Sequence, residues 1–165
     1  MVSSPGHKYF AFACKKSGYI LVMGQDSKKL LFDLKMNGTC NSIVFSKDER
    51  FLWSVGDEAE IYQWDLLKRR CIKKVADEGG FHTVKLALSP NGLLLATASK
   101  MGTINLFNVS AYTQLLDDKP FKTLGHLTTA ITDLQFNPTS QMLAYCSKWK
   151  KNAIKIAHIP SYTAF

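Results

Sequence analysis

Four polar turns divide the chain at intervals of 42, 43 and 48 residues, and that spacing constrains the fold more than any single residue does. SPGHKYF begins at Ser4, SKDERFL at Ser46, SPNGLLL at Ser89 and NPTSQML at Asn137. Each turn leads into an apolar run that ends in small residues: FAFAC, FLWSV, LLATAS and MLAYCS. A second column follows about 15 residues later in GYILVMG, EIYQWDL and TINLFNV. There Ile20, Ile61 and Ile104 fall in step, Met23, Trp64 and Phe107 lie three residues on, and Ile154 and Ile156 continue the column. A further alternating segment, CNSIVFS, VKLALS or ITDLQFN, precedes the turns. A period of this length marks an array of repeated units, not one undivided globule.

Alternation at period two, with β-branched and aromatic residues, gives half-buried strands, and the closely spaced turn signals give hairpins between them. Each repeat therefore reads as a four-stranded antiparallel meander; in the second copy the strands are IVFS, FLWSV, EIYQWD and CIKKVAD. No stretch supports a long amphipathic helix, although Ser110 to Asp118, in the one long connection, has room for a brief coil. Four-stranded sheets repeated at this period are the blades of a β-propeller. The expected fold is all-β, with blade pieces 1–38, 39–79, 80–125 and 126–165. At this period 165 residues make just under four blades, whereas such rings close with about four to eight, this type most often with about seven. The first copy is expected to lack its innermost strand and the last to stop where its outermost begins. The chain then reads as an open arc of a larger ring.

Composition narrows the class. The chain is 46 % apolar, and 21 Lys and Arg against 13 Asp and Glu give a formal +8, a foldable composition suited to an anionic partner such as RNA. No apolar run reaches the roughly 18 residues of a spanning helix, and the start, MVSSPGHKYF, has no signal-peptide pattern, so no membrane role and a cytosolic or nuclear home are expected. Cys14, Cys40, Cys71 and Cys146 form no CxxC and are expected to be thiols. The sequons at Asn37 and Asn108 then read as turn asparagines.

The pair Trp64–Asp65, ending EIYQWDL, and Gly125–His126, opening GHLTTAITDLQFNP, resemble the WD40 family closely. The resemblance implies a blade-stabilising hydrogen-bond chain of a blade-start His, a second-strand hydroxyl, a turn acid and the Trp. Trp64 matches the Trp and Ser54 the hydroxyl; Asp57 or Glu58 stands for the turn acid, with a turn one residue long for the pattern. Gly125 and His126 match the Gly-His, but their blade carries Lys150 or Lys151 near the acid position and Ala157 at the Trp. Every tetrad is thus expected to be partial. Asp133, on an inner strand, is expected to bond a neighbouring blade. His126 and His82 are read as structural, His7 and His158 as exposed, and none has a zinc-ligand partner at usable spacing. With no GxSxG, HExxH, P-loop or GxGxxG in the chain, no catalysis, cofactor, metal or small-molecule substrate is expected.

Basic clusters carry the binding signal. Lys68, Arg69 and Arg70, with Lys73 and Lys74 after them, occupy one turn and the strand it starts; Lys28 and Lys29 occupy the matching turn a blade earlier. Lys148, Lys150 and Lys151, with Trp149 among them and Lys155 beyond, lie in a turn on the opposite face, toward which Lys15, Lys16 and Lys100 also point. Lysines on turns reach phosphates and an interleaved Trp can stack on a base, though lysines also blunt sheet edges.

A closer likeness covers nearly the whole chain. LKMNGTCNSIVFS (34–46), IYQWDLLKRRCIKKVADEGGFH (61–82), FNPTSQMLAYCSK (136–148) and IAHIPSYTAF (156–165) are similar to the family of U-three small nucleolar RNA-associated protein eighteen. The resemblance implies a nucleolar, non-catalytic scaffold of the small-subunit processome, acting in ribosomal RNA processing and small-subunit biogenesis. Its implied partners are processome proteins and the U-three or pre-ribosomal RNA. A generic WD-repeat adaptor of a signalling or ubiquitin-ligase assembly would share every strand argument, and association with nucleolar RNA separates the two.

Overall fold

The structure, a computed structural model, describes residues 1–80, 82–151 and 153–165. Among the described residues sixteen strands form four four-stranded antiparallel sheets, each in sequence order. The first sheet holds β1 (Val2–Ser3), β2 (Tyr9–Cys14), β3 (Tyr19–Gly24) and β4 (Leu30–Lys35). The second holds β5 (Ser42–Phe45), β6 (Phe51–Val55), β7 (Glu60–Asp65) and β8 (Arg70–Ala76). The third holds β9 (Thr83–Leu88), β10 (Leu94–Ser99), β11 (Ile104–Asn108) and β12 (Lys122–Leu124). The fourth holds β13 (Asp133–Phe136), β14 (Met142–Cys146), β15 (Ile154–His158) and β16 (Thr163–Ala164). The inner strands touch in the order β1, β5, β9, β13, so the sheets fan into an open arc, a partial propeller.

The turn that marks the repeat is the same device four times. Ser4, Ser46, Ser89 and Asn137 each donate their backbone N–H to the carbonyl five residues on, at 2.9 Å. The same four side chains accept the N–H of that fifth residue, Tyr9, Phe51, Leu94 or Met142, at 2.9 Å. Three residues after each, His7, Glu49, Gly92 and Ser140 have positive φ, between 57° and 79°. A short polar side chain that caps its own turn is what the geometry demands, and Ser or Asn supplies it. In the second and third copies the residue two further on, Asp48 or Asn91, takes the serine hydroxyl. The first copy has Gly6 there, and Glu49 of the next sheet fills the gap, bonding Ser4 and, at 2.7 Å, the Gly6 N–H. A Cβ on Gly6 would meet that carboxylate at 2.9 Å. Burial alone would raise the Glu49 pKa, but these bonds outweigh it and hold the carboxyl below its usual value.

Alternating side chains place one apolar core between each pair of sheets. Ala11, Ile20, Leu34, Phe45, Leu52 and Trp64 fill the first gap. Trp53, Val55, Ile61, Leu95, Phe107 and Leu116 fill the second, and Ala96, Leu106, Leu134, Leu143 and Tyr145 the third. β6 sits between two gaps, so all of FLWSV is buried; β14, in the last sheet, alternates and leaves Met142 and Ala144 exposed beside Ile154 and Ile156. A strand covered on both faces loses its alternation, while an end sheet keeps it.

Three expectations need correction. The first sheet does possess an inner strand: Val2 and Ser3 pair with Ala11 and Phe10. The last possesses an outer one, Thr163 and Ala164 pairing with His158 and Ala157. Two-residue ladders lie below the window in which periodicity can be read. Ser110–Asp118 holds no helix; it folds back through a Val109–Leu116 bridge and lays Leu116 into the second core.

Candidate nucleic-acid interface

One slot on the second strand organises three of the blades. Ser54, Thr97 and Tyr145 occupy it, each one ladder pair beyond the isoleucine column. Each hydroxyl has a different partner. The Trp64 indole N–H donates to Ser54 Oγ at 2.8 Å. Thr97 donates to the Asp77 carboxylate at 3.0 Å, and Tyr145 lies 2.9 Å from His126 Nδ1. The bonds tie loops and third strands to the blade centre, so the rims stand on rigid supports. Trp64→Phe removes one donor from a buried hydroxyl and is expected to cost about 1–2 kcal/mol in denaturant unfolding, with Ser54→Ala adding little on top.

Asp77 falls in the DEG run of the stretch that carries the closer likeness, but the sequence assigns it no role. It is buried in the loop after β8, accepts Thr83 at 2.6 Å and Asn105 at 2.7 Å besides Thr97, and Asn105 in turn accepts Thr123 at 2.7 Å. Burial raises its pKa, and the hydrogen bonds from Asn105, Thr83 and Thr97 pull against that rise. The spacing Asp77, Thr83, Thr97, Asn105 is a signal only once the register of β10 and β11 is known.

Asp57 lies in the β6–β7 turn, but it does not reach Trp64. Its carboxylate takes the Asn41 amide at 2.9 Å, with His82 at 3.4 Å and Lys100 at 3.8 Å. The Asn41 hydrogen bond leads the causes that hold its pKa down. Glu58 is exposed beside it. Asp65 is buried and accepts the N–H groups of Leu67 and Lys68 at 3.0 and 2.9 Å, which shapes the β7–β8 turn. Gly125 has open space around it. Asp133 lies 3.5 Å from Lys85 of the third sheet. His158 bonds Ser161 at 2.8 Å.

The cationic candidates separate into engaged and available groups. Lys68, Arg69 and Arg70 are exposed at the β7–β8 turn, with the Arg69 guanidinium 5.2 Å over the Phe32 ring of the first sheet. Lys73 is committed to the neighbouring blade: its ammonium meets Asp118 at 2.9 Å and the Leu116 carbonyl. Lys148, Lys150 and Lys151 are exposed in the β14–β15 turn. Lys148 and Trp149 share a cleft with Lys15, Lys100 and Lys85. Lys85 is hidden at the level of sequence because it sits inside VKLALS, a segment whose plain signal is its apolar alternation.

Nothing among the described residues gathers three metal-ligating side chains. The four cysteines are free thiols, and the Cys40 pKa is pushed up to about 12 by burial first and by Cys14 second, which keeps that thiol protonated and unreactive. No described helix is long and apolar enough to cross a membrane.

The family model for the WD domain, G-beta repeat, matches residues 118–153. U3 small nucleolar RNA-associated protein 18 homolog of Homo sapiens is 34 % identical over 149 residues, 90 % of this chain and 27 % of that protein. The homolog of Arabidopsis thaliana is 38 % identical over 148 residues, again 90 % and 27 %. Probable U3 small nucleolar RNA-associated protein 18 of Schizosaccharomyces pombe is 26 % identical over 161 residues, 98 % of this chain and 31 % of that protein. The chain thus spans less than a third of the length of these relatives. It carries a WD40 repeat within a partial propeller, and its homologues along nearly all of that propeller are proteins named U3 small nucleolar RNA-associated protein 18.

Proposed function

We propose that the chain is a non-catalytic scaffold element of a nucleolar ribonucleoprotein, the small-subunit processome, serving ribosomal RNA processing and small ribosomal subunit biogenesis. The observation that carries this reading is the likeness, over 90 % of the chain, to proteins whose name ties them to the U3 small nucleolar RNA. The blades supply two rims on one rigid body, which lets several partners dock at once. Processome proteins and the U3 or pre-ribosomal RNA are the partners on this reading, and the nucleolus is the location. Lys68, Arg69 and Arg70 serve one rim and Lys148, Lys150 and Lys151 the other, while Lys73 acts by holding two blades together.

The test expresses the tagged chain in cells and measures nucleolar fluorescence together with U3 RNA crosslinked to it. Enrichment above a WD40 domain of equal charge is expected, with a several-fold loss when Lys68, Arg69, Arg70, Lys148, Lys150 and Lys151 are reversed to Glu. A diffuse signal with no U3 enrichment would sink the proposal; enrichment untouched by the reversals would remove these residues from it.

A further inference from the structure

We propose that the cleft at the mouth of the arc holds a nucleotide of single-stranded RNA, its phosphates among the lysines and its base on Trp149. The site rests on the RNA-scaffold reading above and names the part of the surface that would meet RNA directly. The cleft measures about 400 Å³, within the range of small-ligand sites of roughly 300–1,000 Å³. Three blades build it: Lys15 comes from the β2–β3 turn, Lys100 from the β10–β11 turn, Lys148 and Trp149 from the β14–β15 turn, with Lys85 on β9 and the backbone beside Ile131 as floor. Lysines spread over 133 positions of the sequence, from Lys15 to Lys148, thus aim one kind of charge at one space.

The electrostatics are uneven in a useful way. Lys85 is shared with Asp133 at 3.5 Å and Lys100 with Asp57 at 3.8 Å, so these two are partly neutralised and held in place. Among the described residues no carboxylate lies within 4.0 Å of Lys15 or Lys148. Those two ammonium groups carry the attraction for phosphate. The β6–β7 turn, with Asp57 and Glu58, sets an acidic limit on the second blade, so a strand crossing the mouth is guided between the first, third and fourth blades.

Trp149 decides between RNA and an acidic peptide. Trp53 and Trp64 are core residues, whereas Trp149 is 70 % exposed, with the Lys148 ammonium 5.2 Å from its ring centre. A large aromatic exposed beside lysines gains little from an acidic peptide, but a base can stack on it whatever its sequence. Lysines are flexible point charges that accept a phosphate without the planar fork of arginine. The combination of ammonium groups around an open indole is that of a sequence-tolerant single-strand site.

The experiment titrates the 165-residue chain into a fluorescein-labelled oligouridine of twelve nucleotides and follows anisotropy over a range of salt. Binding is expected to quench Trp149 emission. Trp149→Ala should weaken it about 5- to 150-fold with the salt slope kept, the range set by one missing base stack. Lys15→Glu with Lys148→Glu should weaken it about tenfold or more and flatten the slope, by about 0.7 for each phosphate no longer neutralised. Lys28→Glu with Lys29→Glu, on the other rim, is the control and should change little. All these side chains are exposed, and matching thermal melts confirm that each variant folds. Equal affinity for all variants, or polyglutamate competing as well as RNA, overturns the proposal. If U3 RNA still enriches in cells while the cleft variants bind oligouridine normally, this inference alone fails; if the cleft variants lose oligouridine but the chain never meets U3 RNA, the scaffold reading alone fails.

Discussion

Replacing Asp77 by Ala is expected to cost about 3–5 kcal/mol, the largest loss from any single polar side chain described above. The magnitude comes from what stays behind. Thr83, Thr97 and Asn105 are each buried and each donates to this one carboxylate. Alanine would leave Thr97 and one Asn105 N–H without an acceptor in a buried place and Thr83 with the Gly80 carbonyl alone, and a small domain has only about 5–15 kcal/mol of stability to lose. Asp77→Asn keeps an acceptor for Thr97 and Asn105 and turns an amide toward Thr83, whose hydroxyl can accept it while donating to the Gly80 carbonyl at 3.2 Å. It should therefore cost far less than Ala, and urea denaturation midpoints of the three proteins check the order.

The pH dependence separates the charge from the hydrogen bonds. Burial lifts the folded pKa of Asp77 above its unfolded value, so the folded chain holds this proton more tightly. The corresponding stability is fully present below the unfolded pKa, falls as pH rises through the folded pKa, and is constant beyond it. The stability of wild type relative to Asp77→Asn should thus decline across the interval just above the ordinary carboxylate range. Asp57 acts in the opposite sense. Its folded pKa is lowered, first by Asn41, so its contribution is present above the unfolded pKa and is lost as pH falls through the folded one. A flat difference curve for Asp77→Asn would show that the carboxylate is not held in a desolvated place.

Whatever repeats is legible in the sequence. The turn serines, the isoleucine column and the Trp64–Ser54 pair recur or match a pattern, and period two leads from them to strands and blades. The rest depends on contacts between copies that differ. Gln63 stands in EIYQWDL as the polar member of an alternating strand, a position that predicts solvent, yet it is fully buried. Asp77 lies in a DEGG run that looks like an ordinary loop, and its partners lie 6, 20 and 28 residues away. Lys73 and Lys148 look alike as basic residues in a sequence, but one is fixed between blades and the other stands in a cleft. Composition gives the number of charges; packing decides which of them are available.

Gln63 also carries the second large effect. Its amide works on both sides: Nε2 donates to the Gln114 carbonyl at 2.7 Å, and Oε1 accepts the Leu116 N–H at 3.1 Å. One side chain thus binds the long connection of the third blade as a neighbouring strand would. Without it, residues 110–118 have the Val109–Leu116 bridge, the buried Leu116 and the Lys73 contacts as their hold on the arc. Gln63→Ala is expected to cost about 2–4 kcal/mol, from two unpaired backbone groups and a cavity in a fully buried place. Asp118→Asn should cost about 1 kcal/mol or less, because Asp118 is 85 % exposed and its pairing with Lys73 is screened. Limited chymotrypsin digestion distinguishes a loosened arm from general unfolding. Tyr112 is 99 % exposed, yet a protease needs several residues around it to peel away, and Gln63 opposes that peeling. The variant should therefore be cut at Tyr112 about tenfold faster or more under conditions where the rest of the chain stays intact. Equal rates in the two proteins would mean that Leu116 and Lys73 suffice to hold the arm and that the amide is dispensable.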